Sequence, residues 1–153
     1  HPRTLTALHN LALAYHSAGR AGEAIDSFER VAGERTRVSG HDHPDTLSAL
    51  HNLAVAYRSA GRVGEAIDLF ERVAGERSRV SGHDHPATLT ALHDLASSYQ
   101  SAGRVDDAID RYEQLLPHVV RILGADHPQV GTIRAILKRA HAARRPDLGK
   151  DAD

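Results

Sequence analysis

The chain contains no cysteine, no methionine and no tryptophan, and only four tyrosines and two phenylalanines among 153 residues. Without cysteine there can be no disulfide, no thiolate metal ligand and no thiol nucleophile. With so few large rings, a core has to come from many small contacts between leucine, alanine and valine. No apolar run approaches the length of a membrane span, and no secretory signal stands at the start. The formal net charge is -1 and the pI about 6.9, so no overall field favours nucleic acid or an anionic membrane. Glycine-rich phosphate loops, nucleophile elbows and HExxH are all missing, so neither an enzyme nor a cofactor is expected. The default compartment is the cytoplasm. The chain starts at His1, at a repeat boundary and without methionine, and reads as a C-terminal fragment of a larger protein. Arginine (17) far outnumbers lysine (2), as in a GC-rich genome.

What the sequence does contain is itself, several times over. HPRTLTALHNLALAYHSAGR at 1–20 returns as HPDTLSALHNLAVAYRSAGR at 43–62 and as HPATLTALHDLASSYQSAGR at 85–104. His-Pro pairs at 1, 43, 85 and 127 set a period of 42, and the first two units agree at 35 of 42 positions. Each unit holds two helical patterns. In the second, Leu47, Leu50, Leu53, Ala54 and Tyr57 recur at spacings of three and four, an apolar stripe on a helix A. Gly61 suits a left-handed helix terminus. Helix B follows from about Gly64, with Ala66, Ile67, Phe70, Val73, Ala74 and Val80 inward and a charged, ion-pairing outer side. Ser81-Gly82 ends it, and Asp84 or His85 caps the next helix before Pro86. No stretch alternates as a strand would, so the fold class is all-α.

The order Leu50, Leu53, Ala54, Tyr57, Ala66, Phe70 resembles the tetratricopeptide repeat. Leu8, Leu11, Ala12, Tyr15, Ala24 and Phe28 repeat it, as do Leu92, Leu95, Ala96, Tyr99, Ala108 and Tyr112. The 42-residue period, the DHP junction and the NLA segment resemble the kinesin light chain type. The resemblance covers residues 1 to roughly 143. It implies a right-handed α-solenoid of three hairpins and a cap helix, a single repeat domain over 1–143. The repeats are 1–42, 43–84 and 85–126, the cap helix is 127–143, and 144–153 is a flexible tail. The function it implies is a scaffold binding a protein or peptide, with the A helices lining a concave groove. Similar repeats often lie downstream of bacterial nucleotide-binding signalling modules.

Residues off the packed stripe would face that groove. They are Thr6, His9, Asn10, Leu13 and His16, then Ser48, His51, Asn52, Val55 and Arg58, then Thr90, His93, Asp94, Ser97 and Gln100. Asparagine is a poor mid-helix residue, yet related repeats use asparagine here to bond a peptide backbone, which points to Asn10 and Asn52. Its amide both donates and accepts. Asp94 keeps the place but loses the donor. A structural ladder between neighbouring helices explains the same asparagines equally well. His9, His51 and His93 form a parallel column that can tune an acidic ligand, or simply a polar lining.

Three departures from periodicity carry expectations of their own. The fourth copy places Arg134, Lys138 and His141 where earlier units have Leu8, Ala12 and Tyr15, and reads as a solvating cap ending in a frayed PDLGKDAD. The opposite end has no cap, so Leu5 and Leu8 offer an apolar patch for self-association into a homo-oligomer. Gly33, Gly75 and Pro117 occupy one position of helix B, where helix breakers suggest a kink or interruption, read as a tolerated bend in a helix held by packing and not as a functional hinge. The His41-Asp42-His43 and His83-Asp84-His85 turns offer metal-ligand chemistry, but capping explains every copy, and no metal site is assigned.

Overall fold

The computed structural model describes residues 1–144; all of the 144–153 tail except Arg144 lies outside them, including the PDLGKDAD segment. Seven helices follow one another: α1 (Pro2–Ser17), α2 (Ala21–Ser39), α3 (Pro44–Ser59), α4 (Val63–Ser81), α5 (Pro86–Ser101), α6 (Val105–Leu123) and α7 (Pro128–Ala143). No strand occurs among the described residues. Each helix packs on the one before it and the one after it, as in a solenoid.

The boundaries have local chemical causes. Every odd-numbered helix begins with a histidine cap. The Nδ1 atoms of His1, His43, His85 and His127 accept the backbone N–H two residues on, at 3.1–3.3 Å. The cap is therefore the histidine and never the aspartate before it, and Nδ1 must carry a lone pair. At the hairpin turn, the N–H of Arg62 donates to the Tyr57 carbonyl and that of Gly61 to the Arg58 carbonyl, at 2.8 and 3.1 Å. This crossed pair is a Schellman end, and it needs the positive φ of +79° that Gly61 supplies. Arg62 then serves as the first cap of α4, so the connection is as short as two helices allow.

The core runs the length of the stack. Phe28, Phe70 and Tyr112 occupy equivalent places and are at most 2% exposed, with Ala12, Ala54 and Ala96 fully covered beside them. A buried phenylalanine contributes about 1.5–3 kcal/mol relative to exposure.

No interruption occurs at Gly33, Gly75 and Pro117, in keeping with a helix held by packing. α2, α4 and α6 each continue through that position for 19 residues. Val31 with Ala32, Val73 with Ala74, and Leu115 with Val119 are buried on the inward side of the same turns, so tertiary packing overrides the local propensity. The last described helix, α7, buries Val130, Ile133 and Leu137 and leaves Arg134 and Lys138 exposed.

Candidate functional site: the face of the A helices

α1, α3, α5 and α7 share one face, and a ladder of polar side chains crosses it from helix to helix. His9 Nε2 lies 3.4 Å from Asn52 Nδ2, and His51 Nε2 lies 3.1 Å from Asp94 Oδ2. Each rung joins a histidine to a residue 43 positions later. The rings of His9, His51 and His93 stand edge-on to Phe28, Phe70 and Tyr112, with centroids 5.2–6.0 Å apart. The Nδ1 atoms of His9 and His51 are buried and unbonded, so His51 reaches Asp94 with its Nε2–H. Burial, and then the charge of Arg35, push the His9 pKa down.

Arg58 closes the second rung. Its guanidinium lies 5.4 Å from the Phe70 ring centre and donates to the Asp94 carbonyl and carboxylate at 3.3–3.4 Å. Burial alone would raise the Asp94 pKa. The His51 hydrogen bond and the charges of Arg58, His51 and His93 outweigh it and hold the carboxyl below its usual range. Asn52 with His9, and Asp94 with His51 and Arg58, are thus brought together as two separate bonded groups. Asn10 stands apart, exposed on the outer helix and without a rung. His93 has Ile136 in the next register position, and the ladder ends there.

Between each A helix, its B helix and the next A helix lies a socket. The third is open: Val105, Ile109, Tyr112, Ile136 and Ala140 line a cavity of about 260 Å³, with Gln100 and Arg139 at its rim. The same place one repeat earlier is filled by Arg58, held by Asp94 and Phe70. Gln100 and Ile136 replace Arg58 and Asp94 in register, so the socket has lost its occupant and the carboxylate that fixed it.

A second row of clefts lies along the edge where the A helices begin. The first, about 430 Å³, is lined by Leu5, Thr6, Arg35, Val38, His43 and Asp45, and the third, about 200 Å³, by Leu89, Val119, Ile122 and Leu123. At the equivalent place between them Arg77 lies 8% exposed, donating to the Ala87 carbonyl at 3.0 Å and to Ser48 Oγ at 3.5 Å.

Two recurring contacts were missed in the sequence. Arg20, Arg62 and Arg104 lie 4.5–4.8 Å from the ring centres of Tyr15, Tyr57 and Tyr99. The hydroxyls of Tyr57 and Tyr99 donate to Glu29 and Glu71 of the preceding B helix, and His141 makes the matching contact to Glu113 at 3.1 Å. Burial and the Glu29 bond push the Tyr57 pKa up to about 12. The signal was present as a tyrosine 28 residues after a glutamate in each pair. The His-Asp-His turns are committed elsewhere. Asp42 pairs with Arg79 and Asp84 with His118 and Arg121, and no three metal-ligating side chains converge among the described residues.

At the first helix, Leu5 and Leu8 are half-buried and Leu11 is 44% exposed. Thr4, Ala7 and Ala14 are exposed too, whereas their counterparts Thr46, Ala49 and Ala56 are at most 1% exposed.

The sequence profile of the tetratricopeptide repeat family matches residues 3–75 and again 64–119. The chain belongs to that family. A putative kinesin light chain from Podosopora anserina with nearly identical TPR-like repeats is similar at 33% identity and a TM-score of 0.82. The similarity covers 94% of this chain and 68% of that one. A single-substitution variant of the same protein gives the same TM-score at 32% identity, with the same coverage of both chains. BtubC (BKLC) from P. vanneervenii shares the fold, with a TM-score of 0.82 over 92% of this chain and 56% of that one, at 16% identity. No curated protein sequence is significantly similar to the chain. Tetratricopeptide repeats are scaffolds for protein–protein interaction. No helix among the described residues is long and apolar enough to cross a membrane.

Proposed function

We propose that this tetratricopeptide chain is a cytoplasmic scaffold, part of a larger regulatory protein, whose concave A-helix face receives an extended segment of a partner. The observation that carries this reading is the open third socket. An apolar, preformed hollow on the A-helix face, equivalent to one that holds an intramolecular side chain, fits a single bulky apolar residue of a ligand. Asn10 offers a free amide for the ligand backbone at the far end of the same face. His93 and Arg58 border the path between them. His9 and His51 shape the groove through the bonds they make to Asn52 and Asp94, and Asn52 and Asp94 contact the ligand with their remaining polar atoms.

A peptide-library selection tests this directly. The parent is expected to yield a motif with one bulky apolar position. The Ile136→Asn variant and the Asn10→Ala, Asn52→Ala double variant, each verified as folded by circular dichroism, are expected to lose it. Recovery of the same motif by all three, or of none by the parent, would overturn the reading.

The exposed face of α1 favours a second reading, homo-oligomerisation. Leu11 with Thr4, Ala7, Leu8 and Ala14 presents the pattern that α3 and α5 bury against a B helix, beside the half-buried Leu5. Light scattering across concentrations is expected to show growing mass that Leu11→Lys abolishes, and a strict monomer would sink this alternative.

A further inference from the structure

The two arginines that lie under the edge of the A-helix face differ in their countercharge. Arg35 donates to Asp45 Oδ2 at 3.0 Å, with its side chain 21% exposed and that of Asp45 62% exposed. Arg77 is its equivalent one repeat later, and the place of Asp45 is taken by Ala87. Deprived of the carboxylate, Arg77 is folded inward and bonds only the neutral Ala87 carbonyl and Ser48 hydroxyl. A guanidinium carries five N–H donors. The acid whose field reaches it is Asp94, which is already bonded to His51 and Arg58. Burial pulls the Arg77 pKa down, the mark of a cation whose lost hydration is not replaced. In the third repeat the position is Val119, so neither cation nor acid is needed there.

We propose that Arg77 is a ligand-binding residue for a carboxylate: an acidic side chain of the partner segment docks beside Ala87, where Asp45 sits one repeat earlier, and pairs with the Arg77 guanidinium. The inference rests on the reading of the A-helix face as a peptide groove. Arg35 displays the outward arrangement that Arg77 adopts on pairing. A charge-assisted bond to a carboxylate is shorter and stronger than the present bonds to neutral oxygens. The flanking clefts take no charge: the first has its arginine neutralised by Asp45, and the third is lined by Leu89, Val119, Ile122 and Leu123. The segment that fits this edge therefore carries one acid between apolar residues, each one repeat away.

The test uses acetate alone as the probe, with chloride at equal ionic strength as control, and follows the arginine Nε–H signals by nitrogen-15 NMR. A saturable acetate shift of the Arg77 signal is expected, with Arg35 unmoved because its partner is internal. In Ala87→Asp the internal acid occupies the site. Its Arg77 signal is expected to start in the paired position and ignore acetate, and its melting temperature to rise. An Arg77 shift no larger than that of exposed Arg37, or an acetate response undiminished in Ala87→Asp, would overturn the proposal. Peptide selection separates the two readings. A motif without an acid, bound equally by a folded Arg77→Met variant, removes the carboxylate site and leaves the groove standing. An acetate response with no recoverable peptide leaves the anion site and removes the groove.

Discussion

At the scale of single residues, the chain shows where polar atoms are tolerated and what they cost. Thr46 and Thr88 are fully buried with hydroxyls that find no hydrogen-bond partner, while Val130 fills the same place in the fourth copy with the same burial. An unsatisfied buried hydroxyl costs about 1–3 kcal/mol. Thr46→Val and Thr88→Val are each expected to raise stability by about 1 kcal/mol in urea melts, and a loss of stability would show that the hydroxyls are bonded after all. Acid should act in two stages. The His9 pKa lies below its ordinary 6.5 in the folded state, so the unfolded chain takes up that proton first, and stability falls as pH drops below about 6.5. The Asp94 carboxyl is held below its ordinary 3.8, so its contribution is present above that value and vanishes as pH falls through the folded pKa. Stability measured against pH is expected to lose the upper stage in His9→Gln and the lower stage in Asp94→Asn. Unchanged profiles would reject the assignment.

At the scale of elements, glycine means opposite things in two places that look alike in sequence. Gly61 sits at φ +79° in the Schellman end of α3, a conformation that a Cβ resists. Gly75 lies inside α4, where an added Cβ would meet nothing within 4 Å. Gly75→Ala, and likewise Gly33→Ala, are expected to stabilise by about 1 kcal/mol, and Gly61→Ala to destabilise by about as much. Thermal melts showing the same sign for Gly61 and Gly75 would contradict this. The pair also explains how far the sequence could be read. Turns, caps and helix spans followed from local chemistry, down to Gly61 and the His-Pro starts. The breakers at 33, 75 and 117 could not be weighed by propensity alone, because the packing of Val31, Val73 and Leu115 against neighbouring helices is not local. The same limit governed the site. The residues of the groove face could be picked out by spacing, but whether Asn52 and Asp94 face a ligand or a neighbour depends on which side chain stands 43 residues away.

At the scale of the whole molecule, stability comes from contacts between successive helices, and the ends have fewer of them. Hydrogen exchange is expected to be slowest in α3, α4 and α5 and fastest in α1 and α7; protection in α1 equal to that in α4 would mean that its exposed face is covered in solution. The ladder has a further consequence for how such a chain can lengthen. Each polar bond begins in one repeat and ends in the next: His9 to Asn52, His51 to Asp94, Arg58 to Asp94, Tyr57 to Glu29. No repeat owns a complete rung of this ladder, so its heritable unit is the seam between two copies and not the copy itself. A duplicate of the first repeat, placed before the second, reproduces the His-to-Asn seam unchanged. A duplicate of the second, placed before the third, sets Arg58 against an asparagine where it now finds Asp94, and leaves a cation with a neutral neighbour. Growth is thus neutral at neither seam, since the first duplicate also sets Arg35 against Arg3 where it now finds Asp45, and this gives a nearly periodic sequence a fixed reading order.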